Sequence, residues 1–224
     1  MFLDTVLEWF QVSREVARFK RKEEQLVKER YHKNSRFYSM DRALKRAYRF
    51  KNPYTISRKF WAEHIYGETP LTSLELIGEK LKLSPSEHFV DLGAGRGRGV
   101  FFMHERFGCT ATGVERVPIF IANAKQIQNL EALNGVQFIE ADLLDAVLDP
   151  KDPMWQGSVF YVAWTCFSEE LIERLTERFE ALPEGVRVIT ISGPLLSPYY
   201  TCIECFTVPF PWGNGSVFIQ QKLR

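Results

Sequence analysis

The chain has 224 residues with 29 Lys and Arg against 28 Asp and Glu, and hydrophobic residues make up 45% of it. Those values suit one globular domain with appendages, long enough to bury a sizeable core. No apolar stretch approaches the ~18–20 residues a bilayer requires, which excludes a membrane span, and four cysteines without framework spacing exclude a disulfide scaffold.

The start, MFLDTVLEWF, carries Asp4 and Glu8 where a secretory signal has a basic region and an uninterrupted apolar core. It reads as an amphipathic helix, and a cytoplasmic location is expected. Residues 1–60 hold 16 Lys and Arg against 7 Asp and Glu, so the near-neutral total hides a basic start and an acidic remainder. Apolar residues recur at helical intervals, Val12, Val16 and Phe19, then Leu44, Ala47 and Tyr48, which predicts two or three helices with a break near His32–Ser39. A basic segment of this kind can bind nucleic acid or an acidic protein surface. Acids interleave with the bases, however, Glu23, Glu24 and Glu29 among them, and no recognised nucleic-acid motif is present. A solvated helix face, paired along its length, is the favoured reading.

From Leu71 the pattern alternates. A helix over 71–83 has apolar residues at 74, 76, 77, 81 and 83 and stops before Pro85; the strand HFVDL then enters GAGRGRG. A helix over 100–108 leads to the strand ATGVER, and a helix opening on Pro118 leads to the strand VQFIEADL. After a turn-rich stretch with Pro150 and Pro153 come the strand SVFYVAWT, the helix EELIERLTERFEAL and the strand VRVITIS. TCIECFTVPF and SVFIQQKL face each other across PWGNG, a hairpin signal. Repeated β-α units predict a doubly wound α/β fold, with a mostly parallel sheet covered on both faces and an antiparallel hairpin at its edge. Residues 1–64 are expected to form a basic helical segment and residues 65–224 the α/β domain.

The glycines carry the first chemical signal. In D-L-G-A-G-R-G, Gly93 and Gly95 let the backbone turn tightly and approach a ligand where a Cβ would collide. A dinucleotide would set its pyrophosphate at the helix N-terminus that follows. Asp91 stands just before the first glycine, where its carboxylate repels phosphate and suits a cationic group. Glu115 ends the next strand, where a carboxylate can chelate two ribose hydroxyls, and Asp142 ends the third, beside an adenine edge. A glycine turn, a ribose acid, an adenine acid and no phosphate anchor describe S-adenosylmethionine (SAM).

This motif set resembles that of the class I, Rossmann-like methyltransferases over roughly Ile65 to Arg224. The resemblance implies their seven-stranded sheet, SAM as cofactor and S-adenosylhomocysteine as product. IYGETP, a helix, then a strand ending in DLG-x-G resembles, more narrowly, the telomeric-silencing-disruptor type of histone-lysine methyltransferases. By that resemblance Tyr66, Gly67 and Thr69 line the methionine end of the cofactor, with Glu68 supporting their loop. Gly93, Gly95 and Arg98 follow the cofactor backbone, Glu115 and Arg116 hold the ribose and the adenine edge, and Asp142 and Leu143 flank the base. That family carries an Asn-Asn-Phe type motif after its fourth strand. Here the matching positions read Ala163-Trp164-Thr165, so the amide contact of the first Asn is absent.

Methyl transfer is an in-line SN2 displacement from a sulfonium, and catalysis rests mainly on positioning. Trp164, at the carboxyl end of the fourth strand, is expected to face the acceptor, with Tyr66 as the second residue at the reacting centre. A protein lysine nitrogen is the expected acceptor. The alternatives are a small molecule, or a SAM-binding protein without turnover. A pocket closed over by the N-terminal helices favours the small molecule, and an open aromatic channel favours a protein tail. Ser168 is expected to cap the helix at Glu169. Cys202 and Cys205 read as strand residues on opposite faces, and His32, His64, His88 and His104 are scattered; no metal site is expected.

Overall fold

The computed structural model describes residues 2–31, 35–60, 66–146 and 152–223, and side chains from residue 14 onward. His32, His64 and the expected boundary between residues 64 and 65 lie outside the described residues. Seven strands form one sheet in the order β3-β2-β1-β4-β5-β7-β6. They are β1 (His88–Leu92), β2 (Thr110–Glu115), β3 (Val136–Glu140), β4 (Val159–Val162), β5 (Arg187–Ile191), β6 (Tyr200–Phe210) and β7 (Gly213–Lys222). The first five run parallel, while β7 pairs antiparallel with β5 and β6. This is the expected doubly wound sheet with a C-terminal hairpin. The strand order reverses at β1, and the carboxyl ends of β1 and β4 flank the crevice where open α/β sheets bind ligands.

The helices are α1 (Phe2–Arg30), α2 (Arg36–Ala47), α3 (Pro53–Ser57), α4 (Leu71–Leu81), α5 (Arg98–Phe107), α6 (Pro118–Leu130), α7 (Leu143–Ala146) and α8 (Glu169–Glu180). Leu74, Ile77 and Leu81 put one buried stripe on α4, which stops where Lys82 turns left-handed at φ 53°. Ser168 caps α8 as expected, accepting from the Leu171 amide at 3.3 Å.

The basic segment does not stand apart from the sheet. Val27, Phe37, Met40, Leu44 and Tyr48 are buried in the same cluster as Leu71, Phe101 and Phe120. Ion pairs tie the same layers together, Arg30 with Glu75 and Arg98 with Asp41. These pairs use carboxylates that are themselves buried, Glu75 and Asp41, beside the apolar faces of α1 and α2 that enter the core. None of the described helices is long and apolar enough to cross a membrane.

In β6 a bulge between Cys202 and Glu204 resets the side-chain alternation. Both Cys202 and Cys205 are consequently exposed, which corrects the opposite-face expectation. Among the described residues no group of His, Cys, Asp and Glu could hold a metal ion.

Candidate functional site

A cavity of about 520 Å³ opens at the carboxyl ends of β1, β2 and β4, and is bordered by Leu92, Gly93, Gly95, Val114, Glu115 and Ala163 among others. Its size falls within the roughly 300–1,000 Å³ typical of small-molecule and cofactor sites. Gly93 and Gly95 turn at φ 94° and 54°, a left-handed conformation that side chains rarely adopt. A Cβ at Gly95 would stand 3.1 Å from the Tyr66 ring. The backbone therefore approaches the cavity more closely than any side-chain-bearing residue allows.

Glu115 closes this turn from the end of β2. One carboxylate oxygen accepts from the Gly95 amide and the other from the Val117 amide, each at 2.9 Å. Burial raises its pKa, and those amides oppose the rise. With the Arg116 amide as a third backbone donor, the carboxylate keeps acceptor capacity for a further ligand donor.

The upstream stretch forms the opposite wall. Tyr66, Gly67, Glu68 and Thr69 all border the cavity. Tyr66 donates its hydroxyl to Glu68 at 2.6 Å, and Arg96 grips both Glu68 oxygens at 2.6 Å from Nε and Nη2. Burial alone would raise the Glu68 carboxyl, but this fork outweighs it and holds the pKa below its ordinary value. The Arg96 guanidinium also lies 5.1 Å from the centre of the Tyr48 ring. Thr69 shares a 2.6 Å hydrogen bond with the Tyr161 hydroxyl. Sequence reasoning passed over Arg96. Its signal was the first arginine of the RGR turn, which the spacing alone could not separate from Arg98.

The expected site residues fall into three groups. Tyr66, Gly67, Thr69, Gly93, Gly95, Glu115, Arg116 and Leu143 border the cavity together. Asp91 and Asp142 are not among the residues that border it. Asp91 is buried beneath the turn, and burial first, then the charge of Glu115, pushes its pKa up to about 7. Asp142 follows β3 in a turn, pairing with Arg116 at 3.1 Å and accepting from the Leu144 amide at 3.1 Å. Arg98 and Trp164 are the corrections. Arg98 points away, with Nε 2.8 Å from the buried carboxylate of Asp41 on α2, a partner no local pattern reveals.

Trp164 is turned into the core. β4 ends at Val162, and Trp164–Cys166 form a 3-10 turn instead of a strand. That turn breaks the side-chain alternation, so the Trp164 indole is 5% exposed and donates to the Gly193 carbonyl at 3.1 Å. Ala163, Thr165, Cys166 and Phe167 border the cavity in its place. A different tryptophan does reach it. Trp212, at the tip of the β6–β7 hairpin, stacks on Phe210 at 4.9 Å and borders the cavity with Pro211. Val16 and Lys20 of α1, with Tyr54 and Ser57 of α3, complete the roof.

Comparisons with known proteins bear on the family and the fold. The profile of the family described as "Histone methylation protein DOT1" matches residues 56–202. Geranyl diphosphate 2-C-methyltransferase from Saccharopolyspora erythraea is 32% identical over 116 residues, covering 50% of this chain; the chain spans 38% of that enzyme's length. Among solved structures, an RNA methyltransferase from Salinibacter ruber in complex with S-adenosyl-L-homocysteine superposes with a TM-score of 0.56, at 18% identity over 70% of this chain and 94% of that one. TrmN from Thermus thermophilus superposes with a TM-score of 0.59, at 18% identity over 75% and 53%. At such identities these two establish the fold. A glycine turn under a strand-end acid, faced by Tyr-Gly-Glu-Thr within a matched profile, leaves one assignment: the chain belongs to the DOT1 histone-methylation family, a methyltransferase with SAM as its cofactor.

Proposed function

We propose that this methyltransferase transfers the SAM methyl group to a small molecule enclosed beneath the N-terminal helices. The observation that carries this reading is the roof: α1, α3 and the hairpin tip border the same cavity as the glycine turn. In the reading offered here, Gly93 and Gly95 follow the cofactor backbone and Glu115 accepts both ribose hydroxyls. Asp91 neutralises the positively charged methionine end from below, while Arg116, Asp142 and Leu143 surround the base. Tyr66, Gly67 and Thr69 close over the methionine arm, held by Glu68 and Arg96. The acceptor then enters past Tyr54 and Trp212 toward Ala163 and Phe167, and catalysis consists of aligning it with the sulfonium and excluding water. The small side chain at Ala163 leaves room there for the acceptor itself.

A protein lysine is the second reading, favoured by family membership and by the aromatic border of Tyr54, Tyr66, Phe167 and Trp212. Such a border would help the ammonium lose its proton by desolvation. The two readings separate when purified protein is incubated with methyl-tritiated SAM and a whole-cell extract. Label in the small-molecule fraction is expected. Label on discrete polypeptides, mapped to lysine by mass spectrometry, would replace the first reading with the second.

A further inference from the structure

We propose that Lys20 reads an anionic group, a carboxylate or a phosphate, on the methyl acceptor; the proposal rests on the small-molecule reading above. Lys20 borders both the large cavity and a smaller one of about 260 Å³ beside it. The other cations there are matched to acids. Lys45 lies 3.0 Å from Glu24 and 3.1 Å from Asp41, Arg98 lies 2.8 Å from Asp41, and Arg96 lies 2.6 Å from Glu68. Lys20 meets no carboxylate within ion-pair distance among the described residues. Its ammonium lies 3.4 Å from the Tyr54 hydroxyl and 5.2 Å from the centre of that ring.

The nearby acids are committed elsewhere: Glu68 to Arg96 and Tyr66, Glu115 to two backbone amides. Val16, Tyr54 and Trp212 border the same cavity as Lys20, so a ligand bound there would displace part of the water around its exposed ammonium. An anionic ligand group offsets that loss, whereas a second ammonium adds repulsion.

An exposed lysine on a loosely held helix would carry no such meaning, but α1 is pinned. Glu23, one turn on from Lys20, is buried and accepts from the Leu71 amide at 2.6 Å, the Thr72 amide at 3.2 Å and the Thr72 hydroxyl at 2.7 Å. The N-cap position of α4 is Pro70, which makes no side-chain cap bond, so a carboxylate from α1 caps α4 from outside. Val27, one further turn along, is in the core. Val16, Lys20, Glu23 and Val27 thus share one face of α1, and the two anchors fix where the first two point.

The test titrates the full chain, saturated with S-adenosylhomocysteine, with inorganic phosphate and separately with acetate, following side-chain NMR shifts of Lys20 and Tyr54. A saturable shift is expected, weakened roughly tenfold in Lys20→Met, with S-adenosylhomocysteine affinity retained within about twofold. The anion that binds more tightly tells phosphate from carboxylate. No saturable shift, or equal affinity in Lys20→Met, overturns the proposal.

A second arm uses methyl-labelled SAM and a small-molecule extract. The labelled product is expected to bind an anion-exchange resin, and phosphatase treatment releases it only where the anion is a phosphate ester. Label that washes through the resin defeats the role of Lys20 and leaves the small-molecule reading standing. Label confined to protein defeats both.

Discussion

Asp91 is the residue whose environment says most about how this site works. Its carboxyl lies buried under the glycine turn and titrates near neutrality, at about 7, because burial and the neighbouring Glu115 both disfavour its charge. A positively charged ligand group placed above it reverses that cost, so SAM binding should release protons near pH 7 and weaken as the pH falls below it. The sign for stability is the opposite of the usual carboxylate. The native pKa exceeds the ordinary aspartate value of 3.8, so the native chain binds more protons than the unfolded chain between about 4 and 7. Stability conferred by the neutral form is therefore lost as the pH rises through that window. Asp91→Asn should raise the Tm of the SAM-free protein at pH 8, by about 2–4 °C for each kcal/mol relieved, with little effect at pH 4. Calorimetric melting at the two pH values checks this; an unchanged melt at pH 8 would show that Asp91 carries no such burden. The place of Asp91 before the first glycine was readable in the sequence, and its burial there came from the fold. Trp164 was not readable, because whether β4 ends at 162 or 165 depends on the Gly193 carbonyl, 29 residues away in sequence.

The element that organises one wall of the cavity is the loop Tyr66–Thr69, and it is held by contacts from other elements. Arg96, in the glycine turn, clamps Glu68, and Glu23, on α1, caps the helix that the loop enters. Arg96→Met should leave the Glu68 carboxylate without its fork and destabilise the protein by roughly 1–3 kcal/mol. The same variant should lower SAM affinity more than Arg98→Met does, because Arg98 serves α2 instead. Arg96→Lys should recover only part of the loss, since an ammonium cannot grip two oxygens in one plane. Urea unfolding and SAM calorimetry on the three variants decide the matter, and equal SAM affinity in all of them would remove the loop from the site. The Tyr-Gly-Glu-Thr stretch marked this loop in the sequence, but the identity of its clamp required both arginines of RGR to be placed.

At the scale of the molecule, the N-terminal helices and the sheet share one core, and this decides what the protein can do with its acceptor. Leu44 of α2 is fully buried among residues of the same cluster as Phe120 and Leu71. Leu44→Ala should cost about 2–5 kcal/mol. It should shift a single unfolding transition seen alike by fluorescence and circular dichroism. Two separable transitions would mean that the helical segment folds by itself and only rests on the domain. The roof over the cavity is a consequence of that shared core, as α1 and α3 carry Val16, Lys20, Tyr54 and Ser57 to its border. The strongly basic composition of the first 60 residues gave no hint of this, because its described lysines and arginines are exposed while the apolar residues of the same helices enter the core.

What the sequence determined by itself was periodic or local: the alternation of helices and strands, the closing hairpin, the glycine turn, the acids that end or follow successive strands, and the Ser168 cap. Each of these follows from residues within a few positions of one another, where backbone geometry and side-chain spacing suffice. What only the tertiary structure decided were the pairings across long separations. Arg96 met Glu68 and Arg98 met Asp41, Trp164 was drawn into the core while Trp212 took its place at the cavity, and Glu23 crossed from α1 to cap α4. Those choices depend on which faces of distant elements are buried together, and no spacing along one strand or helix encodes that.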